Sequence, residues 1–196
     1  RNEPVGSTST IVAGMYFENG IQPSKAMAGA LCSAIISDTV LFRSPTSTEI
    51  DRNIAVKLAA IAGLDIESFG KEIFRASSVL GKNTEEIFYQ DFKEFTLGNK
   101  HIGVGQVSTL DINELVPIKE DLLAYMMQIQ EEKNYDLLLL MITDIIKEGS
   151  EVLFTGKDPG LLSNAFGVEI HGNSVYLPGV ISRKKQVIPP ISAIIG

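Results

Sequence analysis

The sequence predicts a mixed α/β protein built from two successive parts. Its 196 residues are enough for one medium domain or two small ones. Up to about residue 78, apolar residues recur every three or four positions between Pro, Gly and Ser/Thr breaks, a pattern typical of helices. From about residue 84 to residue 196, strand-like and helix-like segments alternate. The intervening segment 79–83 lacks periodicity and contains Gly-Lys-Asn, so we expect a linker and hinge there.

The first part is expected to begin with two helices. The first covers about 7–17. The second begins after Pro23 and Ser24, and its apolar positions continue as far as Leu41 and Phe42. We therefore expect this longer helix to extend through Phe42.

Two further helices are expected after Pro45. Thr46 and Glu49 form a capping-box pair at the start of the third helix, and Gly63 ends it. Asp65 then begins a short fourth helix. The apolar stripe of the third helix consists of Ile50, Ile54, Leu58 and Ile61.

The second part is predicted to alternate strands and helices. Strand-like segments at 92–97 and 101–109 are joined by Gly98 and Asn99, which indicates a hairpin. A helix carries an apolar face from Leu115 to Ile129. In the segment 137–143 six consecutive apolar residues precede Thr143, as in a strand buried on both faces. The remaining predicted elements are a strand at 151–155, a short helix near Leu161 and a strand at 174–177.

Composition excludes several classes of function. With 17 Lys and Arg against 24 Asp and Glu, the net charge of −7 provides no global positive field to hold nucleic acid or an anionic membrane. One cysteine, Cys32, forms no internal disulfide, and two histidines cannot build a His-rich metal site. The longest apolar run, 137–142, is far shorter than the roughly 20 residues of a membrane-spanning helix. We expect a soluble, cytoplasmic protein.

Asp38 is a candidate functional residue because of its position in the second predicted helix. It shares a helical stripe with four apolar residues, Ala28, Leu31, Ile35 and Phe42. A buried, unpaired carboxylate costs several kcal/mol, so this position requires a cation, a strong hydrogen-bond network or a proton. Alternatively, the helix ends early and Asp38 caps a turn at 37–39. The spacing leaves open both the cap and the metal-ligand or salt-bridge role.

Two other features involve positive charge. The segment 182–186, Ser-Arg-Lys-Lys-Gln, is the densest basic cluster in the chain, and it suits a multivalent anion because Arg183 offers a planar fork to phosphate oxygens. Lys93 shares a strand face with Phe95 and Leu97, from which its ammonium group can extend into a cleft. The alternatives are a solvated turn for 182–186 and an edge-strand charge for Lys93.

Five segments of the chain together resemble one protein family. They are RNEPVGSTST at 1–10, SAIISDTVLFRSPTST at 33–48, IAGLD at 61–65, DFKEFTLGNK at 91–100 and SRKKQVIPP at 182–190. They are similar to the manganese-dependent family II inorganic pyrophosphatases, members of the DHH phosphoesterase superfamily with a C-terminal DHHA2 domain. The resemblance implies that 1–78 is the helical remainder of a DHH α/β domain and that 84–196 is a DHHA2 mixed α/β domain.

The resemblance also implies roles for individual residues. Asp38 corresponds to a ligand of the metal pair. Lys93, Arg183 and Lys184 correspond to the catalytic cations that bind substrate, whereas no contact is implied for Lys185. In that family two metal ions, manganese or cobalt, activate a water that attacks a phosphorus of pyrophosphate, and magnesium accompanies the substrate.

The implied activity is hydrolysis of inorganic pyrophosphate to two phosphates in a cleft between the two domains of a homodimeric enzyme. The family's other metal ligands precede the segment that begins this chain, so we expect a C-terminal portion of a longer protein that is inactive alone. Two alternatives stay open. One is an exopolyphosphatase-like phosphohydrolase of the same superfamily, and the other is a non-catalytic phosphate-binding module.

Overall fold

The structure is a computed structural model that describes residues 1–76, 79, 81–158 and 160–196. The chain divides into two compact units, Arg1–Ser77 and Ser78–Gly196. The predicted hinge at 79–83 includes Leu80, which lies outside the described residues, so the hinge stays a prediction. In the part of the chain that is described, no helix combines the length and the apolar character of a membrane span.

Within residues 1–76 the structure has four helices, and each follows a residue whose side chain accepts a hydrogen bond from the backbone of the first turn. The helices are α1 Thr8–Glu18, α2 Lys25–Asp38, α3 Glu49–Ala62 and α4 Ile66–Ala76. The four capping residues are Ser7, Ser24, Thr48 and Asp65. The predicted helical character of this part is therefore confirmed.

Helix α2 ends at Asp38, so its predicted extension through Phe42 is wrong. The Thr39 hydroxyl donates to the carbonyl of Ile35 at 2.6 Å and accepts a hydrogen bond from the amide of Phe42 at 3.2 Å. Such a side chain offers the backbone an alternative to helical hydrogen bonds. The chain then turns through three consecutive residues with positive φ, Val40, Leu41 and Phe42 at 50°, 53° and 64°. This backbone region is costly for residues other than glycine.

Helix α3 differs from the prediction in its cap and in its buried face. The capping box is formed by Thr48 and Asp51, whereas Thr46 bonds to Ser44. The buried face consists of Asp51, Ala55, Leu58, Ala59 and Ala62, so only Leu58 of the predicted stripe belongs to it. Small residues occupy this face because α2 is close, and Ala62 lies opposite Gly29 of α2.

The second unit contains a five-stranded sheet of order β1-β2-β3-β4-β5 among its described residues. The strands are β1 Phe92–Leu97, β2 Lys100–Thr109, β3 Leu137–Asp144, β4 Gly149–Gly156 and β5 Ser174–Pro178. Strands β2 and β3 are parallel, and the other neighbours are antiparallel. The hairpin predicted at Gly98 and Asn99 joins β1 to β2, and the mixed α/β class is confirmed.

Helices cover both faces of this sheet. They are α5 Thr84–Phe88, α6 Lys119–Glu132, α7 Gly160–Phe166 and α8 Ile188–Ile195. A 3-10 helix, Ile112–Ile118, precedes α6. The single helix predicted from Leu115 to Ile129 is therefore two elements, and Leu115 lies in the first of them. Every residue of β3 is buried, as its uniform apolar run predicts. One core packs β3 against α6, and the other packs it against α7 and α8.

Candidate functional site

The basic segment forms a π-helical turn, Arg183–Val187, that begins after Ser182 and continues into α8. Gln186 fixes the start of this turn. Its side-chain oxygen accepts hydrogen bonds from the amides of Ile181 and Ser182, both at 3.0 Å, and its side-chain nitrogen donates to the carbonyl of Gly179 at 2.7 Å. The turn is thus held by its own last polar residue rather than being a loosely solvated loop.

A second set of polar contacts ties the same loop to the sheet. Gln106 of β2 donates to the carbonyl of Ile181 at 3.0 Å and to the hydroxyl of Thr143 at 3.1 Å. Thr143 bonds to Ser150 at 2.9 Å, and Ser150 donates to the carbonyl of Val180 at 2.6 Å. Thr143 and Ser150 are both buried. Side chains of three neighbouring strands therefore hold the backbone just before Arg183 in place.

Arg183 extends from this turn into the protein instead of into solvent. Its side chain is only 7% exposed. The Nη1 nitrogen donates to the main-chain carbonyls of Asp91 at 2.7 Å and Val104 at 3.0 Å. The Nη2 nitrogen donates to both carboxylate oxygens of Asp91, at 2.9 and 3.0 Å. Both terminal nitrogens of the fork expected to bind phosphate are thus bonded to protein acceptors.

These contacts bring Arg183 next to Lys93 although the two are far apart in sequence. Lys93 lies opposite Val104 in the β1–β2 register, and Val104 is an acceptor for Arg183. Lys184 follows directly, and both lysines are exposed. Among the described residues, neither lysine forms an ion pair with a carboxylate. The edge of β1 and the adjoining turn therefore carry a basic cluster of two lysines and one arginine, in which the guanidinium of Arg183 lies beside the Val104 backbone that pairs with Lys93.

Asp38 lies in the first unit as the last residue of α2, where it is exposed. Its predicted burial is therefore wrong: Leu31 and Ile35 of the same stripe are buried, but the helix ends at Asp38 and leaves this residue exposed. The Asp38 carboxylate accepts a hydrogen bond from the Ser7 hydroxyl at 2.7 Å. In the described part of the chain no backbone amide donates to Asp38, and Thr39 occupies the C-cap position of the helix. The metal-ligand role stays a prediction.

Asp51, which the sequence analysis did not single out, organises the segment that holds Ser7. Its buried carboxylate accepts hydrogen bonds from the amides of Gly6 at 2.9 Å and Ser7 at 3.3 Å, and from the hydroxyl of Thr10 at 2.5 Å. It also accepts from the amide and the hydroxyl of Thr48, at 2.8 and 2.7 Å. Asp51 thus fixes Ser7, which in turn contacts Asp38. The pattern Thr-x-x-Asp at 48–51 was the signal in the sequence.

Asp51→Asn is expected to destabilise the first unit by about 2–4 kcal/mol at neutral pH. Both carboxylate oxygens accept hydrogen bonds, so the amide nitrogen of Asn would face at least one donor. Burial raises the pKa of Asp51, but the hydrogen bonds from Thr10, Thr48 and Gly6 outweigh burial and lower it below its ordinary 3.8. The charge therefore stabilises the fold above the unfolded-state pKa, and this stability is lost as pH falls through the folded-state pKa.

Urea unfolding of wild type and Asp51→Asn at pH 7 and near pH 3 tests this expectation. The difference between the two proteins should be largest at pH 7 and shrink in acid. Asp65→Asn is the control, because Asp65 is an exposed cap of α4 in the same unit. A difference that is small at pH 7, or that grows in acid, would show that the Asp51 carboxylate does not hold this segment.

The residues present do not by themselves fit a two-metal centre. Among the residues that the structure describes, no three His, Cys, Asp or Glu side chains lie close enough together to hold a metal ion. Asp38 offers one oriented carboxylate, and a pair of divalent ions requires several ligands. Any such centre therefore requires ligands in addition to those described.

The chain is similar to inorganic pyrophosphatases over its whole length. It is 54% identical over 196 residues to a probable manganese-dependent inorganic pyrophosphatase of Clostridium acetobutylicum, covering 100% of the chain and 63% of the relative. It is 52% identical over 196 residues to a cobalt-dependent inorganic pyrophosphatase of Clostridium perfringens, covering 100% and 36%. The chain thus spans less than two thirds of the length of both relatives.

A solved structure and a family match agree with these similarities. The putative family II inorganic pyrophosphatase of Methanococcus jannaschii superposes with a TM-score of 0.88 at 47% identity, covering 98% of the chain and 66% of that structure. The DHHA2 domain family matches residues 71–194. This match includes the sheet, the π-helical turn and the three clustered cations. The chain therefore belongs to the DHHA2 domain family.

Proposed function

We propose that this chain is the C-terminal part of a longer enzyme that hydrolyses inorganic pyrophosphate to two phosphates, and that it supplies the cations that bind the substrate. The proposal is supported by one observation: Arg183 donates to the carbonyl of Val104, the residue that pairs with Lys93 at the edge of the sheet, and Lys184 is the next residue of the turn. The names of the relatives support pyrophosphate as the substrate, and manganese or cobalt as the metal.

The cluster suits a polyanion for a physical reason. Lys93 and Lys184 are exposed ammonium groups without carboxylate partners among the described residues, so an incoming phosphate does not have to break an existing ion pair with either of them. Hydrogen bonds between such cations and phosphate contribute about 1.5–3 kcal/mol each. The contacts strengthen as negative charge develops on the leaving phosphate, and fixed charges that match this change accelerate the reaction.

Asp38 is proposed as one ligand of the metal pair, with Ser7 holding its carboxylate in place. When bound, the metal ions supply activation of the attacking water. The remaining ligands would lie in residues that precede this chain in the longer protein. The resemblance further supports magnesium as the companion of the substrate, a cytoplasmic location and a homodimer of the full-length enzyme.

Lys93→Ala and Lys184→Ala in the full-length protein test the proposal. Loss of one charge-assisted contact is expected to lower kcat/KM for pyrophosphate roughly ten- to hundredfold in each variant. Lys185→Ala is the matched control, because Lys185 is an exposed lysine of the same turn, and its effect should stay below about twofold. Similar small effects in all three variants would contradict the assignment of the cations.

Tripolyphosphate in the same assay distinguishes the alternative substrate. A pyrophosphatase should turn over pyrophosphate with a much higher kcat/KM, whereas an exopolyphosphatase-like enzyme should favour the longer chain. Absence of turnover of either compound by the metal-loaded full-length protein, together with phosphate binding that depends on Lys93 and Lys184, would identify a non-catalytic phosphate-binding module instead.

A further inference from the structure

The two terminal nitrogens of Arg183 face different kinds of acceptor. Nη1 is bonded to the main-chain carbonyls of Asp91 and Val104. Nη2 is bonded to the Asp91 carboxylate, whose side chain is 52% exposed, whereas that of Arg183 is 7% exposed. Thus one nitrogen is bonded within the protein, and the other is bonded to an acceptor that water and solutes can reach.

The main-chain contacts do not depend on the side chain at position 91. The carbonyl of Asp91 also accepts a hydrogen bond from the amide of Gln106 at 2.9 Å, which extends the β1–β2 pairing by one residue. This bond and the Val104 contact fix the guanidinium from the side of the sheet. The Asp91 carboxylate is therefore not needed to place Nη1, and another acceptor can replace it at Nη2 while Nη1 stays in position.

A phosphate oxygen that reaches Nη2 meets this carboxylate first. Both Asp91 oxygens lie within hydrogen-bond distance of the one nitrogen. Binding in the side-on geometry that Arg prefers for phosphate uses two neighbouring nitrogens, and one of the available pairs is Nε with Nη2. A carboxylate left beside the bound phosphate would repel it, because both are anions at short distance.

We propose that the Asp91 carboxylate occupies the position at Nη2 of Arg183 that a phosphate oxygen takes on binding, and that it competes with the anionic ligand. The inference rests on the proposed function, in which Arg183 binds substrate. When no anion is bound, Asp91 keeps the buried guanidinium paired. It also lowers the affinity for phosphate, which favours release of the product.

Asp91→Asn in the 196-residue chain tests the competition. Asn keeps the shape and one acceptor oxygen, so the guanidinium stays in place while the competing charge is removed. The probe is inorganic phosphate, added in an NMR titration that follows the Nε–H signal of Arg183. The dissociation constant is expected to fall roughly two- to tenfold in the variant.

Two further variants make the outcome specific. Glu169→Gln removes the same charge from a side chain that is 94% exposed and whose ion pair among the described residues is with His171 alone, so it reports the effect of net charge. Asp91→Ala removes the side-chain acceptor but keeps the main-chain carbonyl, and it too should bind phosphate more tightly. Phosphate binding that is unchanged or weaker in both Asp91 variants would refute the proposal that Asp91 competes with phosphate. Binding that is tightened equally in Glu169→Gln would refute it as well.

The failure of the inference is distinct from failure of the proposed function. If phosphate affinity depends on Lys93 and Lys184 but does not rise in the Asp91 variants, the anion site stands and Asp91 does not compete. If phosphate leaves the Arg183 signal unchanged in every variant and its affinity is insensitive to both lysines, the anion site itself is wrong, and the role of Asp91 falls with it.

Discussion

Asp38→Asn in the full-length protein is expected to lower manganese affinity and pyrophosphate turnover by roughly a hundredfold or more, with little change in folding. The amide has nearly the size of the carboxylate, and its oxygen can still accept the hydrogen bond from Ser7. That oxygen is neutral, however, and it binds a hard divalent ion more weakly than a negatively charged carboxylate does. Asp38 is exposed, so the substitution leaves no buried group without a partner. Manganese titration and phosphate release measure the two effects.

Two further variants show whether the effects of Asp38→Asn come from the loss of a metal ligand. Ser7→Ala removes the hydrogen bond that orients the carboxylate, and loss of such an orienting partner typically costs ten- to hundredfold in metal affinity, so an intermediate effect is expected. Asp65→Asn removes an exposed carboxylate of the same unit that only caps a helix, and it should leave manganese binding intact. Unchanged manganese affinity in Asp38→Asn would show that Asp38 is not a ligand.

The strands of the second unit could be predicted because their local residue pattern strongly favours the strand conformation. The run 137–142 has no polar face, which favours a strand covered on both sides, and all of β3 is buried. Gly98 and Asn99 are turn residues between two strand-like segments, and the hairpin forms there. In both cases local chemistry and tertiary structure favour the same conformation.

The ends and faces of the helices in the first unit were harder to predict because tertiary contacts decide them. Apolar spacing continues past Asp38 to Phe42, yet Thr39 ends α2 by bonding to the backbone on both sides. In α3, apolar spacing selects the isoleucines, whereas the neighbouring α2 favours the small face that carries Ala55 and Ala59. Spacing alone does not reveal how closely a neighbouring helix approaches.

In the candidate site, too, local sequence predicts some features and tertiary contacts decide the others. The basic character of 182–186 is visible in the sequence, and the resemblance supplied Lys93 as its partner. The burial of Arg183 could not be predicted, because its acceptors Asp91 and Val104 lie in a hairpin about 80–90 residues earlier. Nothing in the local pattern distinguishes a buried arginine from its exposed neighbours Lys184 and Lys185.

Arg183→Lys is expected to lower the free energy of unfolding of the second unit by about 2–4 kcal/mol. The arginine makes hydrogen bonds through two nitrogens to acceptors in three directions, and an ammonium group at the end of a shorter side chain cannot reach all of them. The carbonyl of Val104, in a buried residue, then loses a donor. The charge is retained, so the loss reports geometry rather than electrostatics.

Lys185→Ala provides the matched measurement, since removing an exposed lysine from the same turn should change stability by no more than about 0.5 kcal/mol. Urea unfolding of the 196-residue chain compares the two variants. Turnover of Arg183→Lys in the full-length protein is then measured where that variant is fully folded, so that any remaining loss in kcat/KM reflects substrate contact at Nη2 or Nε. A stability loss as small as that of Lys185→Ala would mean that the contacts with Asp91 and Val104 do not anchor the turn, and Arg183 would then act only through its charge.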